Sequence, residues 1–254
     1  MKKILQILNG IAFLAVVFIN YLSNTGILNN TTIGKISKNY NTLFTPAGYA
    51  FSIWALIYLL LFGFVTYQGK SFFIKVKEDV FVEKIGYWFV ISCVANSAWV
   101  FCWIYEFTGL SCICIFLLLF SLLKIVIRND MQFFKSSFTT KLFVHWSFVI
   151  YAGWVTVASI ANLAAYLVKI DWAGFGISPQ IWTFLMIVIA TLINVYMVVK
   201  RNMFAFAFVG VWALIAIGVA NTNHNNSLLF TPYLAAVLLG IFTVFRWNQS
   251  RKKI

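Results

Sequence analysis

The sequence predicts an all-α membrane protein, a polytopic helix bundle of about eight transmembrane helices. Three observations lead there. The 254 residues are 62% hydrophobic and only 10% charged, with 19% aromatic residues. No soluble globular domain has that balance. Eight apolar runs, roughly 4–22, 47–67, 85–105, 109–127, 143–167, 180–199, 203–220 and 229–246, are each long enough to cross a bilayer. Basic residues fall in the gaps between runs or at run ends, and sixteen of the nineteen Lys and Arg lie on one side, in alternate gaps, at the two chain ends or, for Lys124 and Arg246, near the inner ends of their runs; the remaining three are Lys35, Lys38 and Lys169. The basic side is expected to be cytoplasmic, which places both termini there and demands an even number of crossings.

The net charge of +13 is accounted for by this topology and by anionic lipid. No basic stripe is left over for nucleic acid. The first run follows Met1-Lys2-Lys3 and also has the basic start and apolar core of a signal peptide. It is longer than a signal core of roughly 7–15 residues and is followed by no small-residue cleavage site, so a retained helix is expected. The gap 23–46 is rich in Asn, Thr, Ser and Gly, residues of turns and caps. The gaps at 68–84 and 128–142 mix charge with apolar residues and suit segments lying on the headgroups.

Ser178-Pro179 and Thr231-Pro232 read as helix starts, and Pro46 is expected in the first turn of the second helix. Asn194, in the middle of the sixth run, reads as a helix–helix hydrogen bond. His224 reads as a solvated loop residue. The four cysteines all lie in apolar runs, without metal-ligand spacing; no metal site, cofactor fingerprint or acid–base pair is evident, and no catalytic residue is assigned. No Asp, Glu, Lys, Arg or His lies near the middle of a span, which counts against an ion pump, an ion channel or a proton-coupled carrier with a buried carboxylate.

Three spans instead carry aromatic and amide residues at helical spacing. The second has Trp54 and Tyr58, four apart. The third has Asn96, Trp99 and Trp103. The fifth has Tyr151, Trp154, Ala158 and Asn162. Turned toward one another, these faces wall a cavity for a large, flat, mostly apolar ligand. The other reading is helix–helix packing, with Asn96 and Asn162 bonding across the bundle.

These strings resemble the translocator protein family, also called tryptophan-rich sensory proteins (TspO/MBR). The family's motif entering its second helix, P-P-G-W-V-F-G-P-x-W-T-x-L-Y, is matched by Pro46, Trp54 and Tyr58 within the string from Thr45 to Tyr58. Thr45 stands where the family has its first proline. Asn96 and Trp99 match the third-helix motif L-N-x-x-W, with Phe101 and Trp103 following. Tyr151, Trp154, Ala158 and Asn162 match the fifth-helix motif, with Ile150 in place of proline.

The resemblance covers roughly residues 1–168, which it implies to be a five-helix translocator-like core; residues 169–254 would add three helices and a basic tail. It implies a ligand cavity lined by the aromatic and amide residues named above and closed by the 23–46 loop. Family members bind porphyrins and other tetrapyrroles, sterols and synthetic ligands. The resemblance thus implies binding and handling, by sensing or transport, of a porphyrin, haem, other tetrapyrrole or lipid, with no cofactor required. Alternatives are a secondary transporter of a neutral lipophilic solute and a light-dependent porphyrin-degrading enzyme. The expected setting is a bacterial inner membrane, with membrane lipids and a small apolar ligand as partners and a homodimer left open.

Overall fold

The computed structural model describes residues 1–40, 42–73, 80–131, 136–222 and 230–252. Among these there is no strand. Eight long helices carry the fold: α1 (Lys2–Thr25), α2 (Ile53–Gly69), α3 (Trp88–Ile104), α4 (Thr108–Arg128), α5 (Trp146–Lys169), α6 (Pro179–Arg201), α7 (Phe204–Ala220) and α8 (Thr231–Lys252). Each coincides with one expected run, with ends that differ by at most six residues, the largest differences being at the start of α2 and the end of α8. Helices α1, α2, α4, α5 and α6, with the turns that extend α2 and α5, are long and apolar enough to cross a membrane. Helices α3 and α7 are apolar but have 17 residues each, near the lower limit of about 17 for a span. Helix α8 runs into the basic tail.

The burial pattern identifies the solvent. On α1, Ile4, Ile7, Ile11, Leu14 and Phe18 are exposed, while Gln6, Asn9 and Asn20 are buried. Apolar residues outside and amides inside are the arrangement a helix adopts when lipid surrounds it and polar groups must find partners within the bundle. The amides do so: Gln6 Nε2 donates to the Gln68 carbonyl at 2.7 Å, and Asn9 Nδ2 donates to Gln68 Oε1 at 3.0 Å. The protein is an integral, polytopic membrane protein.

Helix α5 is the axis. Its most apolar stretch is 72% buried, against 33–44% for the other four spans. It packs against α2, α4 and α7; α1 packs on α2 and α3, α3 on α4, and α6 and α8 on α7. The α5–α7 crossing is close at Gly153, where a Cβ would stand 3.1 Å from the Phe206 carbonyl oxygen. Helix α7, with a smaller contact from α6, therefore lies directly on the first five helices, and α8 packs on α6 and α7.

The turns share one device. After α3, α4 and α5 the chain reverses through Glu106, Asp130 and Asp171, each with φ between 46° and 60°. The next amide then bonds back five residues: Phe107 to Cys102, Met131 to Val126 and Trp172 to Leu167. This caps orphan carbonyls at each helix end.

Two expectations are corrected. Pro46 is not in the first turn of α2. The chain is extended at Ala47 (φ −57°, ψ 147°), whose N–H donates to the Ala216 carbonyl on α7; a 3₁₀ turn, Gly48–Ser52, then leads into α2. Among the described residues, Asn194 makes no hydrogen bond across the bundle. Its Nδ2 donates to Ala190 one turn back, its Oδ1 is buried without a partner among the described residues, and Gly210 of α7 lies against it. A Cβ on Gly210 would be 2.5 Å from that oxygen, so close approach of the helices, not a bond, uses this position.

Ser178 caps α6 as expected, accepting from the Ile181 amide with Pro179 at the first position. His224 and the residues 74–79 and 132–135 of the surface segments lie outside the described residues.

Candidate functional site

The expected aromatic residues of α2, α3 and α5 converge at one end of the bundle. Tyr58, Trp54, Trp99 and Trp103 form a ladder of near-parallel rings: 5.6 Å and 20° between Tyr58 and Trp54, 6.4 Å and 27° between Trp54 and Trp99, 6.1 Å and 20° between Trp99 and Trp103. The i, i+4 spacing within α2 and within α3 aligns the outer pairs. The packing of the helices brings Trp54 to Trp99. Tyr151 and Trp154 of α5 meet Trp54 edge-on, with centroids 5.7 and 6.5 Å away, the favourable arrangement for ring quadrupoles.

The amides fix the ladder. Trp99 Nε1 donates to Asn162 Oδ1 at 2.8 Å, while Asn162 Nδ2 donates to Ser111 Oγ at 2.9 Å. Asn96 Nδ2 donates to the Tyr151 hydroxyl at 2.8 Å and accepts from Asn20 Nδ2 at 2.7 Å. This chain ties α1, α3 and α5 together. Asn96 and Tyr151 are thus buried bundle contacts, whereas Asn162 both bonds across helices and lines a hollow. Trp154 is 2% exposed, and its Nε1 has no hydrogen-bond partner among the described residues.

Two adjoining hollows lie beside the ladder. The narrow one, about 40 Å³, is lined by Trp99, Trp103, Trp154, Ala158 and Asn162, among others. The larger, about 590 Å³, lies between α1, the start of α2 and the loop between them, and falls within the roughly 300–1,000 Å³ of ligand pockets. Trp54 lines both, as do Ile33, Ser37, Thr45, Pro46 and Phe51. Tyr58 lines the larger.

The loop covers this end. It carries a short helix, Ile33–Asn39, capped by the Thr32 hydroxyl accepting from the Lys35 amide. Gly26, with φ 81°, ends α1 and starts the loop. Two sets of contacts hold it. Toward α3, Trp103 Nε1 donates to the Ile33 carbonyl at 3.3 Å, Asn29 Nδ2 to the Ile104 carbonyl at 3.0 Å, and the Tyr40 hydroxyl to Glu106 Oε2. Burial, then the hydrogen bond to Glu106 and that residue's charge, push the Tyr40 phenol up to about 12. Lys169 Nζ in turn donates to the Glu106 carbonyl.

Toward α7, Asn221 Nδ2 donates to the Leu43 carbonyl at 2.8 Å, the Ala47 amide to Ala216 at 3.0 Å, and Trp212 Nε1 to Ala50 at 3.4 Å. Tyr49 meets Trp212 edge-on at 5.1 Å.

Sequence reasoning did not pick out Asn20, Tyr40, Lys35, Lys38 or Trp212. An amide in the apolar run of α1 was the one available signal, for Asn20. The others lie on, or bond to, a loop whose path no periodicity reports.

None of the curated proteins and none of the solved structures matches the chain. The family model for TSPO-like proteins matches residues 6–245. The match runs past residue 168 and takes in α6 and α7 and most of α8. With the aromatic motifs of α2, α3 and α5 folded against one another beneath a tethered loop, the chain belongs to the TSPO-like protein family.

Proposed function

We propose that this protein binds a large, flat, mostly apolar ligand, of which a porphyrin or related tetrapyrrole is the type, and senses or carries it within the membrane. Membership of the TSPO-like family indicates a membrane ligand-binding or transport role. The observation that carries the finer reading is the ring ladder from Tyr58 to Trp103, with Trp54 on the wall of both hollows. A planar ligand can continue such a stack from the half-buried ring of Tyr58 at its end. Trp154 Nε1 offers a buried donor without a partner among the described residues. The ligand-facing set is Trp54, Tyr58, Trp99, Trp103, Trp154, Ala158 and Asn162, with Asn96 and Tyr151 holding the ladder from behind. The strongly basic end of the bundle faces the cytoplasm, by the distribution of Lys and Arg, which leaves the covered end on the far side of a bacterial inner membrane.

Porphyrin titration of the purified protein, read by tryptophan fluorescence, tests the reading. Saturable quenching is expected. Trp54→Ala and Trp154→Ala should each weaken binding by about two- to tenfold, the worth of one or two ring contacts. Quenching that is non-saturable, or identical in both variants, would remove the proposal.

A further inference from the structure

We infer that the larger hollow selects ligands bearing acid groups, and that Lys35 and Lys38 of the covering loop are the residues that read them. Among the described residues, the basic side chains at the covered end are Lys35, Lys38 and Lys169. Lys169 is engaged with the Glu106 carbonyl. The other two, Lys35 and Lys38, both line the larger hollow. They are three apart on the Ile33–Asn39 helix and so project from one face, with Cβ atoms about 5–6 Å apart. No carboxylate among the described residues pairs with either ammonium. Of the described acids at this end, Glu106 is taken by Tyr40, and Asp171 follows α5 in the turn beyond Lys169.

The remaining wall sorts by polarity. Asn20, Asn24, Thr32 and Ser37 lie with the lysines, while Phe51, Trp54 and Tyr58 close the other side. A site with rings on one wall and two unpaired cations on the other fits an amphiphile: a flat apolar body with one or two carboxylates at its edge. A neutral sterol or other uncharged lipophile would use the aromatic wall and leave both ammonium groups unanswered.

The inference rests on the ligand-binding reading above, and one experiment separates the two. Binding of protoporphyrin IX, a dicarboxylic acid, and of its neutral dimethyl ester is measured in an uncharged detergent, for the wild-type protein and for the Lys35→Gln/Lys38→Gln variant. Lys35 and Lys38 are solvent-exposed, and two exposed ion pairs give a preference of about two- to tenfold for the acid. The preference should shrink as salt is raised and vanish in the double variant, whose affinity for the ester stays as in the wild type.

Equal affinity of the wild type for acid and ester, a preference indifferent to salt, or one that survives in the double variant overturns the role of the lysines and leaves ring-stacked binding standing. Failure of the wild type to bind either compound overturns both. Should the double variant not fold, the wild-type ratio and its salt dependence decide the matter.

Discussion

Trp99 on α3 donates its indole N–H to Asn162 on α5 at 2.8 Å, and Asn162 passes a hydrogen bond on to Ser111 of α4 at 2.9 Å. One amide thereby fixes three helices and sets the plane of the central ring of the ladder. Both of its polar atoms are used, and the residue is 3% exposed.

Asn162→Leu removes the acceptor of Trp99 and the donor to Ser111 at once. A buried donor left without a partner costs about 1–3 kcal/mol, and within a membrane bundle single side-chain bonds are worth about 0.6 kcal/mol and up to about 1.7. A destabilisation of about 1–2 kcal/mol is expected in thermal unfolding in detergent. Near-ultraviolet circular dichroism should change as the Trp99 ring loses its fixed plane. An unchanged melting curve and spectrum would show that the ladder is held by packing alone.

The Tyr40–Glu106 contact predicts a pH dependence. The phenol's ordinary value of 10.0 is raised to about 12 in the folded protein. A raised value means the folded state holds the proton more tightly than the unfolded chain. The stabilisation is therefore complete below pH 10 and is lost as pH rises from about 10 to about 12. Protection of the covering loop from a protease active in alkali should fall across that window. Tyr40→Phe should begin with less protection and show a flatter profile. Identical profiles for the two proteins would detach the loop's closure from this contact.

Helix α7 holds the second half of the loop through Asn221, Trp212 and Ala216. Asn221→Ala should release the Leu43 carbonyl and speed amide exchange over residues 43–52, with little change around Ile33–Asn39, which is tethered to α3 instead. Porphyrin dissociation should quicken by several-fold, since one lost bond is worth about 1 kcal/mol. Uniform acceleration of exchange throughout 26–52 would mean that the loop moves as one piece and that α7 has no separate hold on it.

Gly210→Ala places a methyl group 2.5–2.7 Å from three atoms of the Asn194 carboxamide. Overpacking of this kind costs about 1–3 kcal/mol. Asn194→Ala removes the obstructing group, so the double variant should recover most of the loss. A deficit that persists in the double variant would place the conflict in the backbones of α6 and α7.

Amino-acid order alone determined the helix bundle, the membrane and the family. The runs of 4–22, 47–67 and the six that follow appear as α1 to α8 because lipid demands long apolar segments with internally bonded backbones. The pairing of Trp54 with Tyr58 and of Trp99 with Trp103 was legible for the same reason, since residues four apart on a helix share a face.

Tertiary structure decided everything that depends on which faces meet. Asn194 looked like a bridge between helices and proved to be a bond to its own helix beneath a glycine. Pro46 looked like a helix start and proved to lie in an extended strap bonded to α7. Asn96 and Asn162, equivalent in sequence, separated into a tie buried behind the ladder and a group that also borders a hollow. The gathering of Lys35 and Lys38 over the larger hollow depends on the path of a loop, which has no repeat to read. Helical periodicity is local, fixed by 3.6 residues per turn. The partners of a face are fixed by contacts between segments up to 178 positions apart, as Asn221 and Leu43 are, and those are settled only when the helices pack.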